Sequence, residues 1–384
     1  MGMMESISIG IAGLGMAARS CAPAFVRHPG LKIAAAAEPD EVTGAAFSAS
    51  HEVPAYRDFQ ALLAHPGLDA VYIATPTPLH AEQTVLALRA GKHVIVEKPM
   101  ASSLDEAEAM VAAAAAAGRV LLVGHSHSFD LPIRRMRDVI ASGDLGAVKM
   151  INTWNYTDWV YRPRRLTELD PDQGGSVLFR QGAHQVDIVR LLGGGMLRNV
   201  YARTFDLDPE RSTIGAHCLM LEFENGAAAT AIYNGYGRLS GAELCGGVSE
   251  WGFPAPVPQP VAHQGARDEQ ALKRERVKKA DRSGAPFQPH FGLTVVSCER
   301  GDLRQSPGGI IVYRPDGREE IALETTCTPH DLVAAEFHDA IRGLAITVHD
   351  GRWGLANLEV CNAALRSARS GQAVGLRQQV SVPK

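Results

Sequence analysis

A lysine at the end of an apolar run is the first residue in this sequence that could take part in chemistry. Lys98 belongs to Glu97-Lys98-Pro99 and follows residues 93–96, which have the composition of a buried parallel strand. Ligands of open α/β sheets bind outside the carboxyl ends of the strands, so Lys98 is placed to hold or transfer a proton on a substrate. The ordinary alternative is an exposed lysine without a function. The strand-end position and the acidic neighbour Glu97 weigh against that alternative.

A glycine-rich turn near the start of the chain has the pattern of a dinucleotide-binding site. Gly13, Gly15 and Ala18 form G-x-G-x-x-A between an apolar run and a helical stretch. Gly13 permits a tight turn, Gly15 lets the backbone approach a pyrophosphate, and Ala18 allows close packing of helix on strand. The motif alone is weak, but its position at the opening of the first strand–helix–strand unit makes it a strong signal.

An acidic residue after the second apolar run indicates which cofactor this turn would bind. Glu38 lies 20 residues beyond Ala18, where an acid binds the ribose hydroxyls of NAD and repels the 2′-phosphate of NADP. No Arg or Lys follows directly, because the next residues are Pro39 and Asp40. NAD is therefore favoured over NADP. The alternative is a solvated loop acid, and the affinities for the two cofactors distinguish these possibilities.

Further residues follow a strand at the same edge of the predicted sheet. Thr75 and Pro76 come after the apolar residues 70–74, and His80 follows four residues later. His80 either contacts the cofactor or only caps and packs. The predicted cofactor-binding residues are Gly13, Gly15, Ala18, Glu38, Thr75, Pro76, His80 and Glu97.

Length and composition limit the class of protein that could carry these residues. Divided by about 150 residues per domain, the length of 384 residues indicates two or three domains. With 46% apolar and 21% charged residues, the composition is that of a soluble globular protein and excludes a disordered chain or a collagen. The formal net charge of −4 lacks the basic excess of a nucleic-acid-binding domain.

The sequence also predicts a compartment. No apolar run reaches the roughly 20 residues that cross a bilayer, and the first residues lack the basic region of a signal peptide. None of the six cysteines forms a C-x-x-C pair, which argues against zinc or redox motifs and favours reduced thiols. We expect a cytoplasmic protein without a nucleic-acid or membrane partner.

The first part of the chain alternates strands and helices. Strands are predicted at 7–12, 31–37, 70–74, 93–96 and 120–123, with helices at 17–27, 43–50, 78–90 and 104–117. This alternation predicts a doubly wound α/β domain over residues 1–124, and the glycine turn makes it an NAD-binding Rossmann domain.

The pattern changes after about residue 125. Strands are predicted at 149–159, 199–205, 218–223, 227–233 and 310–313, and Asn225-Gly226 is a strong hairpin signal. We therefore expect an α+β domain with a large, mostly antiparallel open sheet over residues 125–384, which binds substrate and forms oligomers. It ends in helices at 330–342 and 353–370, of which the last could pack back on the first domain. Residues 252–260 are predicted as a loop, and 267–282 as a solvated loop or exposed helix.

Over nearly its whole length the sequence resembles the Gfo/Idh/MocA family, named for glucose–fructose oxidoreductase and inositol dehydrogenase. The matching motifs are Gly13-x-Gly15, Thr75-Pro76-x-x-x-His80, Glu97-Lys98-Pro99, Gly124-His-Ser-His-Ser-Phe129, Leu145-Gly146, Gly174-Gly175, His184-x-x-Asp187, Gly354-Leu-Ala-Asn-Leu-Glu359 and Gly371-x-x-Val374. The resemblance implies a Rossmann domain followed by a domain whose open sheet forms a homodimer or homotetramer. It also implies hydride exchange between a nicotinamide cofactor and a carbinol carbon.

The resemblance assigns roles to two residues and exposes one departure. Lys98 would contact the reacting oxygen, and His184 would serve as base or acid. In the family an aspartate four residues before this histidine commonly assists it, whereas this sequence has Arg180 there. The four-residue spacing places Arg180 and His184 on one helical face if the helix extends that far.

The arginine at this position carries information about the substrate. Arg180 cannot act as a base, but its guanidinium suits bidentate binding of a carboxylate. Arg164 and Arg165 lie nearby in sequence, and together these residues favour an anionic small molecule over a neutral polyol. The alternative for Arg164 and Arg165 is a surface charge or a pair with an acid such as Glu168.

The segments 156–165 and 180–184 more narrowly resemble the phthalate 4,5-cis-dihydrodiol dehydrogenases of this family. Their substrate carries two carboxylates, a diene ring and two neighbouring hydroxyls. Tyr156, with Trp154, Trp159 and Tyr161, would line that ring or, equally, belong to the core. The predicted function is NAD-dependent oxidation of such a diol to the catechol. Alternatives are a sugar, inositol or other polyol dehydrogenase, and a non-catalytic NAD(H)-sensing regulator, which Lys98 and His184 disfavour.

Two further features near the predicted site have competing interpretations. Asp187, grouped with the substrate-binding residues, either orients the imidazole of His184 or makes a structural hydrogen bond between helices, and the structural role is favoured. His125 and His127 form an H-x-H pair, but no third ligand is suitably spaced. We therefore expect no metal.

Overall fold

The computed structural model describes residues 6–124, 126–255, 268–269, 271–272, 275, 284–325 and 327–383. The chain folds as two compact units. The first unit comprises the described residues up to 124 together with Cys327–Leu355. The second comprises the described residues between 126 and 325 together with Ala356–Val382.

The first unit contains a six-stranded parallel sheet of order β3-β2-β1-β4-β5-β6. The strands are β1 Ile7–Ala12, β2 Leu31–Ala37, β3 Ala55–Tyr56, β4 Ala70–Ile73, β5 His93–Glu97 and β6 Leu121–Gly124. The helices are α1 Met16–Arg27, α2 Glu41–His51, α3 Phe59–Leu63, α4 His80–Arg89 and α5 Leu104–Ala117. This strand order is that of a doubly wound dinucleotide-binding fold, so the predicted Rossmann domain is confirmed.

The sheet brings the predicted cofactor residues to one edge. Strands β2, β1, β4 and β5 are neighbours and run parallel, so their carboxyl ends lie side by side. Glu38, Gly13, Thr75 and Lys98 follow these four ends in that order. Strands β1, β4 and β6 are buried throughout, which explains why they appear as continuous apolar runs rather than alternating ones.

A late stretch of the chain also belongs to the first unit. Helix α8 (Pro329–Arg342) packs on α1, and Arg27 of α1 forms an ion pair of 2.6 Å with Asp331 of α8. Val333 and Phe337 supply the buried apolar face of α8. The first sheet ends at the predicted boundary between residues 124 and 125. The segment Cys327–Leu355 is predicted to belong to the second domain, but these contacts hold it in the first unit.

The second unit contains a nine-stranded sheet of order β14-β13-β12-β11-β7-β10-β9-β8-β15. Its strands are β7 Val148–Tyr156, β8 Leu197–Phe205, β9 Ala216–Phe223, β10 Ala228–Asn234, β11 Leu293–Cys298, β12 Gly301–Ser306, β13 Gly309–Arg314, β14 Gly317–Ala322 and β15 Val374–Gly375. Every pair is antiparallel except β7 with β10. The mostly antiparallel second sheet is therefore confirmed, and Asn225-Gly226 makes the β9–β10 hairpin with Gly226 at φ +84°.

The second part also contains the helices α6 Leu131–Ser142, α7 Ala183–Gly193 and α9 Gly351–Ser370, the last of which begins in the first unit. Helices α6 and α7 pack on the sheet. Residues 256–260 of the predicted loop, and most of 267–282, lie outside the described residues. None of the helices in the described part combines the length and hydropathy that a bilayer crossing requires.

Candidate active site

The turn after β1 contains two glycines, and a different structural feature explains why each position has a glycine. Gly13 has φ +82°, and a Cβ there would lie 2.9 Å from the carbonyl oxygen of Ala74. Gly15 precedes α1, and a Cβ there would meet nothing within 4 Å. Packing therefore requires Gly13, whereas Gly15 leaves open space at the helix N-terminus, as a bound pyrophosphate needs. Ala18 is buried against the sheet, as its predicted role requires.

Glu38 is held beside this turn. Its Oε2 accepts a hydrogen bond from the backbone N–H of Leu14 at 2.9 Å, and its Oε1 accepts one from Asp40 N–H at 3.2 Å. The side chain is half-buried, so Glu38 is not a solvated loop acid. A carboxylate has about four acceptor sites, which leaves capacity for the hydroxyls of a ribose. These residues fit NAD.

The residues on either side of Lys98 are anchored to the first sheet. Glu97 accepts a hydrogen bond of 2.7 Å from the hydroxyl of Tyr72, and burial together with Glu97 raises the pKa of Tyr72 well above its usual value. The phenol therefore keeps its proton and donates. Glu97, predicted as a cofactor contact, is engaged with β4, and Lys98 is half-buried directly after it.

His80 links two strand ends. It is buried, and its ring nitrogens lie 2.9 Å from the carbonyl oxygen of Pro99 and 2.8 Å from that of Thr75. The ring lies between these two oxygens and donates to at least one of them, so it connects the turn after β4 with the turn that carries Lys98. The structure therefore supports the packing alternative for His80. Pro76 is exposed at the same edge, and Thr75 donates to Gln83 at 2.7 Å.

In the second unit, His184 lies in the first turn of α7. A π-helical turn, Leu178–Gly182, precedes it and carries Arg180, so the helix does extend back to this residue. Such π turns occur frequently at functional sites. His184 is 4% exposed. The centroid of its ring lies 4.8 Å from the ring centroid of His127 and 5.0 Å from that of Phe291.

The arginines of the second unit gather around a buried acid. Arg180 Nη2 lies 3.3 Å from Glu168 Oε1, and Arg164 Nη1 lies 4.0 Å from the same oxygen. The backbone N–H of Arg165 donates to Glu168 Oε2 at 2.7 Å, while the Arg165 residue is exposed. The guanidinium of Arg164 also stacks over the Trp159 ring at 4.2 Å. The pairing alternative is thus found for Arg164, and Glu168 contacts Arg180 as well.

The structure supports the structural alternative for Asp187 and the core alternative for Trp159. Asp187 is fully buried, and its Oδ1 accepts a hydrogen bond of 3.0 Å from Asn357 on α9. Asn357 in turn accepts one of 2.7 Å from the buried Arg190. This chain of contacts ties α7 to α9, which is the structural role set against the substrate contact. Trp159 is also fully buried and belongs to the core.

Tyr156 stands at the end of β7 opposite Asn234, and it is half-buried. Four residues around His184 were not in the predicted set, namely His127, Asp130, Trp251 and Phe291. Only the H-x-H pair pointed toward any of them, and His125 lies outside the described residues. Among the residues that the structure describes, no group of three or more His, Cys, Asp or Glu side chains could hold a metal ion.

Comparison with known proteins gives consistent matches along the chain. Residues 7–125 match a family model described as "Oxidoreductase family, NAD-binding Rossmann fold" (GFO_IDH_MocA), and residues 133–238 match the GFO/IDH/MocA C-terminal domain. A 1-carboxy-3-chloro-3,4-dihydroxycyclohexa-1,5-diene dehydrogenase of Comamonas testosteroni is 37% identical over 96% of both chains.

Solved structures match as well. A protein of Bordetella bronchiseptica RB50 described as a dehydrogenase is 38% identical, with a TM-score of 0.91 over 96% of this chain and 100% of its own. The WlbA dehydrogenase of Bordetella pertussis, solved with NADH and UDP-GlcNAcA, is 20% identical with a TM-score of 0.74. It covers 97% of this chain and 98% of its own and shares the fold.

Proposed function

The chain belongs to the GFO_IDH_MocA family of NAD-binding oxidoreductases, and we propose that it oxidises a carboxylated cis-dihydrodiol of a cyclohexadiene ring to the corresponding catechol. The relative of 37% identity carries a carboxylated dihydroxycyclohexadiene in its name, which supports this class of substrate. Among such compounds we propose the 4,5-cis-dihydrodiol of phthalate.

Arg180 is the observation that carries the proposal. It stands on the π turn four residues before His184, where the family commonly has an acid. Its guanidinium and that of Arg164, which both contact Oε1 of Glu168, provide charge-assisted donors for a carboxylate. Each such bond is worth about 1.5–3 kcal/mol, whereas a neutral polyol gains less from this arrangement.

The reaction removes a hydride from the carbinol carbon and a proton from its hydroxyl group. When bound, NAD⁺ supplies the acceptor for the hydride that leaves the carbinol carbon. The family resemblance assigns contact with the reacting oxygen to Lys98 and a base or acid role to His184, and the proton of the hydroxyl goes to one of these residues as the C=O bond forms. The resulting hydroxydienone tautomerises to a catechol, and the gain of aromaticity makes oxidation the favoured direction.

Glu38 binds the adenosine ribose and the turn at Gly15 accommodates the pyrophosphate. We place the enzyme in the cytoplasm as an oligomer of this chain. The six cysteines are free thiols, which supports a reducing compartment.

The test is the growth of NADH absorbance with purified protein and NAD⁺. The 4,5-cis-dihydrodiol of phthalate and 1-carboxy-3-chloro-3,4-dihydroxycyclohexa-1,5-diene are offered beside myo-inositol and glucose. Turnover of either diol acid, with no turnover of the polyols, is the expected result. Turnover of a polyol alone overturns the substrate class. Binding of NADH without turnover of any alcohol favours the sensing regulator.

A further inference from the structure

A buried histidine–carboxylate pair, His127 and Asp130, lies next to His184 in the second unit. His127 stands in the 3₁₀ turn His127–Phe129 after β6, and its Nδ1 lies 3.2 Å from Oδ2 of Asp130 at the start of α6. Both side chains are buried, with 3% and 0% exposed. A histidine and a carboxylate so deeply buried need each other as hydrogen-bonding partners.

Two aromatic rings, those of Phe291 and Trp251, pack around His127 and His184. The His127 ring stacks on Phe291 at 4.3 Å with 28° between the planes. It meets the His184 ring edge-on at 4.8 Å and 79°, and Phe291 also contacts His184 at 5.0 Å. Trp251 covers His127 from another side at 5.0 Å. Neither imidazole can turn without moving a close-packed neighbour.

We propose that His127, oriented by Asp130, is the positioning residue for His184 in this protein. The His127–Asp130 pair takes the place of the carboxylate that the family commonly has four residues before His184, where this sequence has Arg180. This proposal deepens the proposed function and rests on it, because it takes His184 to be the group that contacts the reacting hydroxyl.

The protonation of the pair suits this role. Burial raises the pKa of Asp130 well above its usual value, and the charge of Glu250 adds to the rise. The Asp130 carboxyl group is therefore less readily ionised than an exposed one. Glu250 and His184 are titratable groups near the pair, whereas Trp251 and Phe291 do not titrate. Asp130 determines which nitrogen of His127 carries its hydrogen.

The kinetic test uses His127→Phe, which keeps a ring between Phe291 and His184, and Asp130→Asn, which keeps the shape of the side chain. Each should lower kcat about 10- to 100-fold, as loss of a group that orients a ligating or catalytic side chain commonly does. KM and the affinity for NADH should stay within about twofold. In the double variant with His184→Asn, His127→Phe should add almost nothing, because it acts through His184.

A matched control separates this effect from general damage to the core. His349 is also fully buried and bonded to a carboxylate, that of Glu336 at 3.0 Å, in the first unit. His349→Phe should lower thermal stability as much as His127→Phe but leave kcat unchanged. A full kcat for His184→Asn alone would refute the proposed catalytic role. A reduced kcat for His184→Asn with a normal one for His127→Phe, or additive losses, would refute the positioning role alone.

A spectroscopic readout does not depend on finding the substrate. In protein labelled with ¹⁵N-histidine, the signals of His184 are those lost in His184→Asn. Their ¹⁵N shifts report which ring nitrogen is protonated. We expect a single tautomer in the parent protein and a changed tautomer population in His127→Phe and Asp130→Asn. Identical His184 shifts in all three proteins would overturn the proposal.

Discussion

The backbone around Lys98, one of the residues assigned to the reaction, is fixed by the hydrogen bonds of the residues on either side of it. Lys98 lies between Glu97, which Tyr72 ties to β4, and Pro99, whose carbonyl faces His80. Such outer contacts restrict the backbone of the catalytic turn, so a long flexible lysine starts from a fixed point. At this scale the chemistry depends on residues that never touch a substrate.

Removal of either proposed proton acceptor should abolish turnover but not cofactor binding. Lys98→Ala and His184→Ala are each expected to lower kcat by about 10²–10⁴-fold, the range typical of a general acid or base. The NADH dissociation constant, measured by fluorescence, should change little. Lys92→Ala is the control, because Lys92 precedes the same strand and donates to the carbonyl of Leu68. Parent-like turnover in both Lys98→Ala and His184→Ala would refute the assignment.

Arg180 should determine affinity for the charged part of the substrate. Arg180→Ala is expected to raise KM for a carboxylated diol about 10- to 100-fold, since one charge-assisted bond is worth about 1.5–3 kcal/mol. Steady-state kinetics measures this, with Arg369→Ala as the control because Arg369 is exposed on α9. An unchanged KM would assign the carboxylate contact to other residues.

Glu38 should decide between the two nicotinamide cofactors. The parent protein is expected to bind NADH at least about 10-fold more tightly than NADPH, because a carboxylate repels the 2′-phosphate. Glu38→Gln keeps an acceptor for Leu14 N–H and should reduce that preference. Fluorescence titrations with both cofactors give the ratio, and tighter NADPH binding by the parent would contradict the preference for NAD.

At the scale of elements, sequence patterns identified several strands that are continuous and buried. Strand β1 appeared as an apolar run because all six of its residues are buried, and β9–β10 appeared because Asn225-Gly226 demands a turn. Strand β3 has two residues, and β14 is Gly-Arg-Glu-Glu-Ile-Ala at a sheet edge, so neither has an apolar pattern. Sequence periodicity cannot reveal strands whose side chains face water.

The candidate site likewise combines residues that the sequence predicts with contacts that it does not predict. Residues at strand ends, such as Gly13 and Lys98, were predictable because the carboxyl edge of a parallel sheet is known in advance. The contact of Glu168 with Arg180, and of Phe291 with His184, joins segments far apart in sequence. No local pattern encodes such pairings, because they depend on how distant elements pack.

A buried histidine on β9 should make the second sheet sensitive to acid. Burial lowers the pKa of His217 to about 3 from 6.5, and its Nε2 lies 3.0 Å from Gln185 Oε1. The unfolded chain binds the proton near pH 6.5 and the folded chain does not, so stability falls as the pH drops below about 6.5.

Between pH 7 and pH 5 the parent should lose about 2 kcal/mol more unfolding free energy than His217→Gln. Urea denaturation of both proteins at the two pH values measures the difference. Equal losses in the two proteins would show that His217 does not stay neutral in the folded state.

At the scale of the whole molecule, one face of the second sheet bears exposed apolar side chains. Tyr201 on β8 pairs with Met220 on β9, and Met150 on β7 is exposed as well. These side chains are 39%, 41% and 48% exposed, respectively. Exposed apolar groups on a regular sheet are typical of a contact surface, so we expect this face to join copies of the chain.

Charges placed on that face should separate the copies. Tyr201→Glu combined with Met150→Glu is expected to convert an oligomer into a species with the mass of one chain, because burying unpaired charges costs several kcal/mol. Light scattering after size-exclusion chromatography measures the mass. The exposed Leu166, which lies on a 3₁₀ turn outside the sheet, provides the control as Leu166→Lys. An unchanged mass in the sheet-face variant would place the contact elsewhere.

The return of Cys327–Leu355 to the first unit has a consequence for synthesis on the ribosome. Its nucleotide-binding sheet is complete once residue 124 has been made, but the helix that pairs Asp331 with Arg27 is translated some two hundred residues later. Domains commonly fold in order as they leave the ribosome. Here the surface of α1 must wait uncovered while the entire nine-stranded sheet, apart from its short last strand, is translated. The nascent chain therefore exposes the surface of α1 that packs on α8 for most of translation, and this is where we expect a chaperone that binds apolar segments to act.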